Sequence, residues 1–225
     1  MVVDSGSTDN TVALCESAGA RVIHRPWAGY ADQKQFAMEQ TSGQWILNLD
    51  ADEYVPALLA NELQTAVAAA SPAISAFSMP RRSHYLGRWI QHSGWYPDRK
   101  LRLVRKGAGR WIGDGLHERL VAQGQVQPLR HPLHHLVYRN IFDHVKTANQ
   151  FSDVYAAHRG SAGIFFLMAG LPHSLGKFFE CYIWKKGFLD GLAGLIIAIV
   201  SSFYVFLKHA KAWEKGRDFS PHEDA

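Results

Sequence analysis

Residues 45–53, WILNLDADE, decide how this chain is read. The run at 45–49 is apolar apart from Asn48 and is bounded by polar residues, the signature of a buried strand. In an open α/β sheet, ligands bind outside the carboxyl ends of the strands. Asp50 and Asp52 therefore fall where such a sheet does its chemistry. Two carboxylates two residues apart at a strand end reach one hard cation. Mg²⁺ or Mn²⁺ takes oxygen ligands and commonly shares them with phosphates. An acidic surface turn, with Glu53 as a third solvated charge, would carry the same letters, and the D-x-D spacing alone leaves both readings open.

Upstream, VVDSGSTDNT at 2–11 reads as a strand end, a glycine turn and a helix start, with Ser7, Thr8 and Asp9 all suited to cap it. A helix is expected over 11–18, ended by Gly19. A second strand follows at 21–24. The next helix runs to about Gln40, with Asp32 as its expected cap and Gly43 beyond its end. Downstream of the acidic pair, Pro56 suits the start of a helix over 57–70. This alternation of strand and helix predicts a parallel sheet covered by helices on both faces. The first residues look like the end of a strand rather than a whole one, since strands usually run about five or six residues. The chain is therefore expected to lack its first strand. With neither a basic region nor a long apolar run at the start, no signal peptide is expected.

Past Ser71-Pro72 the pattern changes. Residues 74–79 read as a strand, and 100–105 alternate apolar with basic residues as in a half-buried strand. A histidine-rich stretch, His131, His134 and His135, precedes a helix expected over 141–158. A net charge of +4 and a pI near 9.1 fit an anionic partner such as nucleotide phosphate or an acidic membrane surface. Two cysteines far apart, Cys15 and Cys181, form no disulfide framework or zinc spacing, which points to a reducing compartment.

Residues 188–207, FLDGLAGLIIAIVSSFYVFL, are long enough to span a bilayer core of about 30 Å. Asp190 and the breakers Gly187, Gly191 and Gly194 weaken a simple span. Lysines on both sides give no orientation. A second apolar run at 163–175 is broken by Pro172. Together these predict amphipathic or re-entrant helices in a membrane interface, against a buried helix of a globular domain or dimer.

VVDSGSTDNT together with NLDADE resembles the inverting family 2 glycosyltransferases of the GT-A fold. The set PWAGYADQKQFAME (26–39), GWYPDRKLRLVRKG (94–107), GLHERL (115–120) and KGFLDGLAGLIIAIVSSFYVFLKHAKAWE (186–214) is similar to the branch that adds glucose or a related sugar to the lipopolysaccharide inner core. The resemblance implies a Rossmann-like α/β three-layer sandwich, N-terminally truncated. The catalytic domain would lie at 1–140 and a membrane-associated helical region at 141–225. It implies a nucleotide-sugar donor, UDP-glucose first, with UDP-galactose or an ADP-heptose open, and a lipid-linked glycan acceptor. The expected location is the cytoplasmic face of the inner membrane, and nucleic acid is not an expected partner.

By position, the resemblance assigns Asp4 to the nucleotide base, Asp50 to the ribose side of the D-x-D pair and Asp52 to a Mg²⁺ or Mn²⁺ ion bridging the donor phosphates. Ser5 departs from the usual second acid of the first turn. Lys34 is a candidate for the donor phosphates or ribose. Glu118 is the candidate base that takes the proton of the incoming hydroxyl, with His117 orienting it; pairing with Arg119 or Arg102 is the structural alternative. Trp95, Tyr96 and Asp98 are placed against a sugar. Arg102, with Arg81, Arg82 and Arg105, is a candidate for phosphates or carboxylates of the lipid core. His135 reads more readily as structural than as a metal ligand. An inactive membrane-bound remnant and a transferase acting on polyprenyl phosphate are the competing readings.

Overall fold

In the computed structural model, which describes residues 1–113 and 118–217, the elements follow in this order. β1 (Val2–Asp4), α1 (Thr11–Ser17), β2 (Val22–His24), α2 (Tyr30–Glu39), β3 (Trp45–Leu47), β4 (Glu53–Tyr54) and α3 (Ala57–Ala68) form the first, alternating stretch. β5 (Ile74–Tyr85), β6 (Arg88–Trp89), β7 (Asp98–Arg105), β8 (Gly109–Ile112), β9 (Arg119–Ala122), β10 (Gln125–Pro128) and β11 (Leu133–His135) form a strand-rich middle. α4 (Ile141–Arg159), α5 (Ile164–Phe179) and α6 (Gly191–Glu214) end the chain, with a π turn at Glu180–Trp184 and a 3-10 turn at Gly187–Asp190 before α6. The chain divides into two compact units: Met1–Arg81 with Arg99–Leu133, and Arg82–Asp98 with His134–Ala225.

The sheet is mixed rather than parallel. Its order is β3-β7-β5-β11-β4, with β10 and β6 alongside β5. β3 pairs antiparallel with β7, whereas β10 runs parallel to β5. The strand–helix alternation predicts the first elements, but the middle of the chain folds back as antiparallel strands that helix spacing does not announce. In the first unit the sheet buries both faces. Phe77, Met79 and Leu103 pack with Leu59 and Leu63 of α3, while Ala76 and Val104 pack with Met38 of α2, Ile46, Trp111 and Leu120. Neighbouring residues point to opposite faces of a strand, so Leu103 and Val104 fill different cores. The half-buried strand expected at 100–105 is therefore covered on both sides. The cap of α2 is Gly29, at φ 107°, and Asp32 lies in the first turn instead.

β1 and β2 pair in parallel as a separate two-stranded sheet, and β3 ends the larger sheet, paired with β7. A cavity of about 180 Å³ is lined by Met1, by residues 46–50 of the β3 strand end, by Lys34, Ala37, Met38 and Thr41 on the α2 side, and by Trp111.

In the second unit, α5 continues through Pro172; a proline removes one backbone bond without necessarily ending a helix. The expected glycine breakers are sites of close packing. A Cβ on Gly194 would lie 1.8 Å from the Gly187 carbonyl oxygen, and one on Gly187 would lie 2.6 Å from that of Cys181. Asp190 is fully buried and accepts hydrogen bonds from the backbone of Gln91 and His92, at 3.2 and 2.8 Å. The charge in the apolar run thus anchors the turn before α6. One described helical stretch, Gly187–Glu214, is long and apolar enough to cross a membrane. Its C-terminal half packs on α4 through polar contacts: Lys211 lies 2.6 Å from Asp153, and Lys215 donates to the Ala157 carbonyl.

Candidate active site

Beyond β3 the ladder runs one residue further, through Asn48 N–H to the Arg102 carbonyl at 2.8 Å. The chain then turns tightly. Glu53 N–H donates to the Asp50 carbonyl at 3.0 Å, and the Glu53 carboxylate reaches back to Asp50 N–H at 3.1 Å. This turn swings Asp50 toward α2 and β7 and buries Glu53. Asp50 lies 2.7 Å from the Lys34 ammonium and 2.5 Å from Arg102 Nη2. Arg102 Nη2 also donates to Glu53 at 2.7 Å, and Arg81 Nη1 to the same oxygen at 3.2 Å. Lys34 donates to Glu118 Oε1 at 3.0 Å. The result is an alternating row: Glu118, Lys34, Asp50, Arg102, Glu53, Arg81. Trp111 backs it, with Lys34 and Arg102 at 4.8 and 5.8 Å from its ring and its indole N–H on Asn48.

The row is electrostatically tight. Burial raises the Asp50 carboxyl, but Arg102 and Lys34 outweigh it and hold it below the usual carboxylate range. Burial likewise opposes the Arg102 charge, and Glu53 and Asp50 more than restore it. A cavity of about 510 Å³ opens on the row, lined by Lys34, Asp50, Ser78, Arg81, Arg99, Lys100, Leu101, Arg102, Trp111, Glu118, Arg119 and Leu120.

Five residues singled out from sequence thus meet here: Lys34, Asp50, Arg81, Arg102 and Glu118. Glu118 pairs with Lys34 rather than with Arg119 or Arg102. Glu53, a solvated charge only under the surface-turn alternative, is buried between two arginines; its place three residues after Asp50, able to close a turn, is the signal that marks it. Trp111 carried no comparable signal. Asp52 is exposed on the turn. Asp4 sits at the end of β1, where Ser7 Oγ (2.5 Å), Gly6 N–H and Ser7 N–H bond its carboxylate and hold it down to about 2. Neither Asp4 nor Asp52 lines the two cavities that Asp50 lines. His117 lies outside the described residues.

Trp95, Tyr96 and Asp98 belong to the second unit. There Trp95 packs on Tyr85, Tyr138 and His144, Tyr96 precedes a cis proline, and Asp98 opens β7. His135 is buried with Ser83 Oγ 3.0 Å from its ring nitrogen, a structural partner. Arg105 lies over Trp45 and donates to the Ile74 carbonyl. Arg82 lies 5.8 Å from the Trp89 ring.

Among the described residues no group of three or more His, Cys, Asp or Glu side chains forms a ready-made metal cage. That donor set still suits a cation held by one or two carboxylates and completed by substrate phosphates, the usual manner of Mg²⁺.

An α/β fold with a mixed sheet thus gathers acidic and basic residues at its strand ends. Residues 1–143 match the family described as Glycosyl transferase family 2, and the chain belongs to that family. It is 34% identical to a lipopolysaccharide core biosynthesis glycosyltransferase, LpsC, of Rhizobium meliloti, over 96% of this chain and 82% of that protein. It is 28% identical to an uncharacterized glycosyltransferase of Rickettsia felis, over 95% of this chain and 80% of that protein.

Proposed function

We propose that this chain transfers a hexose, glucose first, from a nucleotide sugar to a lipid-linked acceptor of the lipopolysaccharide core type, with inversion at the sugar carbon. The observation that carries this reading is Glu118 facing the same cavity as Asp50, joined to it through Lys34. In the step, the acceptor oxygen bonds to the sugar carbon as the bond to the diphosphate oxygen breaks. Glu118 takes the hydroxyl proton, and the electron pair leaves with the nucleoside diphosphate. Lys34 fixes Glu118 and stands where negative charge grows. Asp4 meets the base and Asp50 the ribose side. Asp52 would hold Mg²⁺ or Mn²⁺ together with the donor phosphates, Asp50 being engaged by Lys34 and Arg102; such an ion supplies charge stabilisation for the leaving diphosphate. Transfer from UDP-glucose to core lipid, set against polyprenyl phosphate, tests the reading; glucose appearing only on polyprenyl phosphate would refute it.

The acceptor's lipid suggests where the chain works. Ile164, Met168, Leu171, Leu175, Phe179 and Ile183 are all at least half exposed and recur every three or four residues along α5 and the turn after it. Trp184, 85% exposed, ends this stripe beside exposed Lys185 and Lys186. The stripe favours helices lying in the cytoplasmic interface of the inner membrane over a helix that crosses it, because α6 carries charged contacts to α4.

A further inference from the structure

We infer that Gln33 is a positioning residue for the donor base: it holds the Ser5 hydroxyl as a hydrogen-bond donor next to the Asp4 carboxylate. This rests on the reading above in which Asp4 meets the base. β1 and β2 run parallel and end together, with Arg25 N–H donating to the Asp4 carbonyl at 2.8 Å. Gln33, on α2 and only 7% exposed, reaches both strand ends with one nitrogen. Its Nε2 donates to Ser5 Oγ at 2.8 Å and to the Arg25 carbonyl at 3.3 Å.

These contacts fix the direction of the amide. A carbonyl can only accept, so the nitrogen of Gln33, and not its oxygen, faces Arg25. Ser5 Oγ accepts from the same nitrogen, and its own hydrogen is left to be given elsewhere. Among the described residues no acceptor takes that hydrogen, and Ser5 is exposed. The Asp4 carboxylate is held in place by Gly6 N–H, Ser7 N–H and Ser7 Oγ–H. Adjacent positions of one turn thus carry a fixed anion and a free donor. That pair matches the edge of a nucleobase, where an N–H stands next to an acceptor.

The arrangement is unfavourable for folding alone. Gln33 Oε1 is buried and has no partner, a state that native proteins mostly avoid. A leucine of similar volume would bury no orphaned oxygen there, so packing does not call for the amide. What the amide adds is the donated hydrogen bond that sets the role of Ser5. The next residue, Lys34, holds Asp50 and Glu118, so neighbouring positions of α2 serve the base and the reacting end.

The test is the UDP affinity of the full chain, measured with Mn²⁺ present, for the parent, Ser5→Ala, Gln33→Leu, Gln33→Glu and the Ser5→Ala/Gln33→Leu double variant. Each single variant should weaken UDP by about tenfold. The double variant should lose no more than about tenfold, because both changes remove one hydrogen bond. Gln33→Glu should bind as weakly as Gln33→Leu, since a carboxylate accepts from Ser5 and draws its hydrogen inward. A Gln33 that only ties α2 to the strand ends would lower the unfolding midpoint of Gln33→Leu and leave the UDP affinity of Ser5→Ala unchanged, which would overturn the proposal. Additive losses, about a hundredfold in the double variant, would overturn it too, as would a Gln33→Glu variant that binds UDP like the parent. If Gln33→Leu does not fold, Ser5→Ala and Gln33→Glu decide. A parent chain that binds no UDP would remove the nucleotide reading itself and this inference with it.

Discussion

Lys34 Nζ lies 3.0 Å from Glu118 Oε1 although 84 positions separate them in the chain. The same ammonium lies 2.7 Å from Asp50. One lysine on α2 thus holds together the strand-end acid and the candidate base.

Lys34→Met should loosen Glu118 and lower turnover by about a hundredfold, the scale set by small misplacements of reacting groups. Lys34→Arg should recover part of the loss. Steady-state transfer kinetics check both; a methionine variant with unchanged kcat would remove Lys34 from the mechanism.

Arg102 pairs with Asp50 and Glu53 inside the protein. Arg102→Met strips a buried cation from two carboxylates and should cost on the order of 3–5 kcal/mol of stability, measured by urea unfolding. A loss below about 1 kcal/mol would mean the network is solvated rather than buried.

How much of this was legible beforehand follows from where each residue's partners lie. Val2–Asp4, α1, β2 and α3 were readable because their signals are local: glycine turns, a proline start, apolar spacing. The D-x-D pair was readable as a site, but its two members part company. Asp50 turns inward to cations from α2 and β7, and Asp52 stays outside. The place of Glu53 in the turn is a local signal, but its burial depends on Arg81 and Arg102, which lie far along the chain. Pro172 misled for the same reason, since tertiary packing overrides local propensity, whereas Gly187 and Gly191 do flank the 3-10 turn that precedes α6.

Asp52→Ala tests the metal directly. Donor hydrolysis that rises with Mn²⁺ in the parent should be lost in the variant. Hydrolysis persisting in the variant with its Mn²⁺ response intact would move the ion elsewhere.

His144 packs among Tyr85, Trp95 and Tyr138, and burial pushes it down to about 4. Its folded value lies below the ordinary 6.5, so the stability that comes from keeping it neutral is complete above pH 6.5. That stability is lost as pH falls toward 4, on the order of 2–3 kcal/mol in all. Unfolding midpoints between pH 7 and 4 should fall steeply in the parent and less so in His144→Gln. Parallel slopes would assign the acid sensitivity to other groups.

Phe165 is 87% exposed and Trp184 85% exposed in the second unit. Binding to vesicles containing phosphatidylglycerol should blue-shift tryptophan emission, and Trp184→Ser should remove most of the shift. Phe165→Ser with Leu171→Ser should weaken co-flotation. A chain that remains with the soluble fraction and instead dimerises through this stripe would replace the membrane with a second copy.

The most direct test is transfer by Glu118→Gln, measured beside its UDP affinity. The account predicts that turnover of UDP-glucose onto core acceptor falls by about 10²- to 10⁴-fold, the usual contribution of a general base, while UDP binds as in the parent. Transfer within a factor of about three of the parent would contradict it, because no base at Glu118 would then be needed.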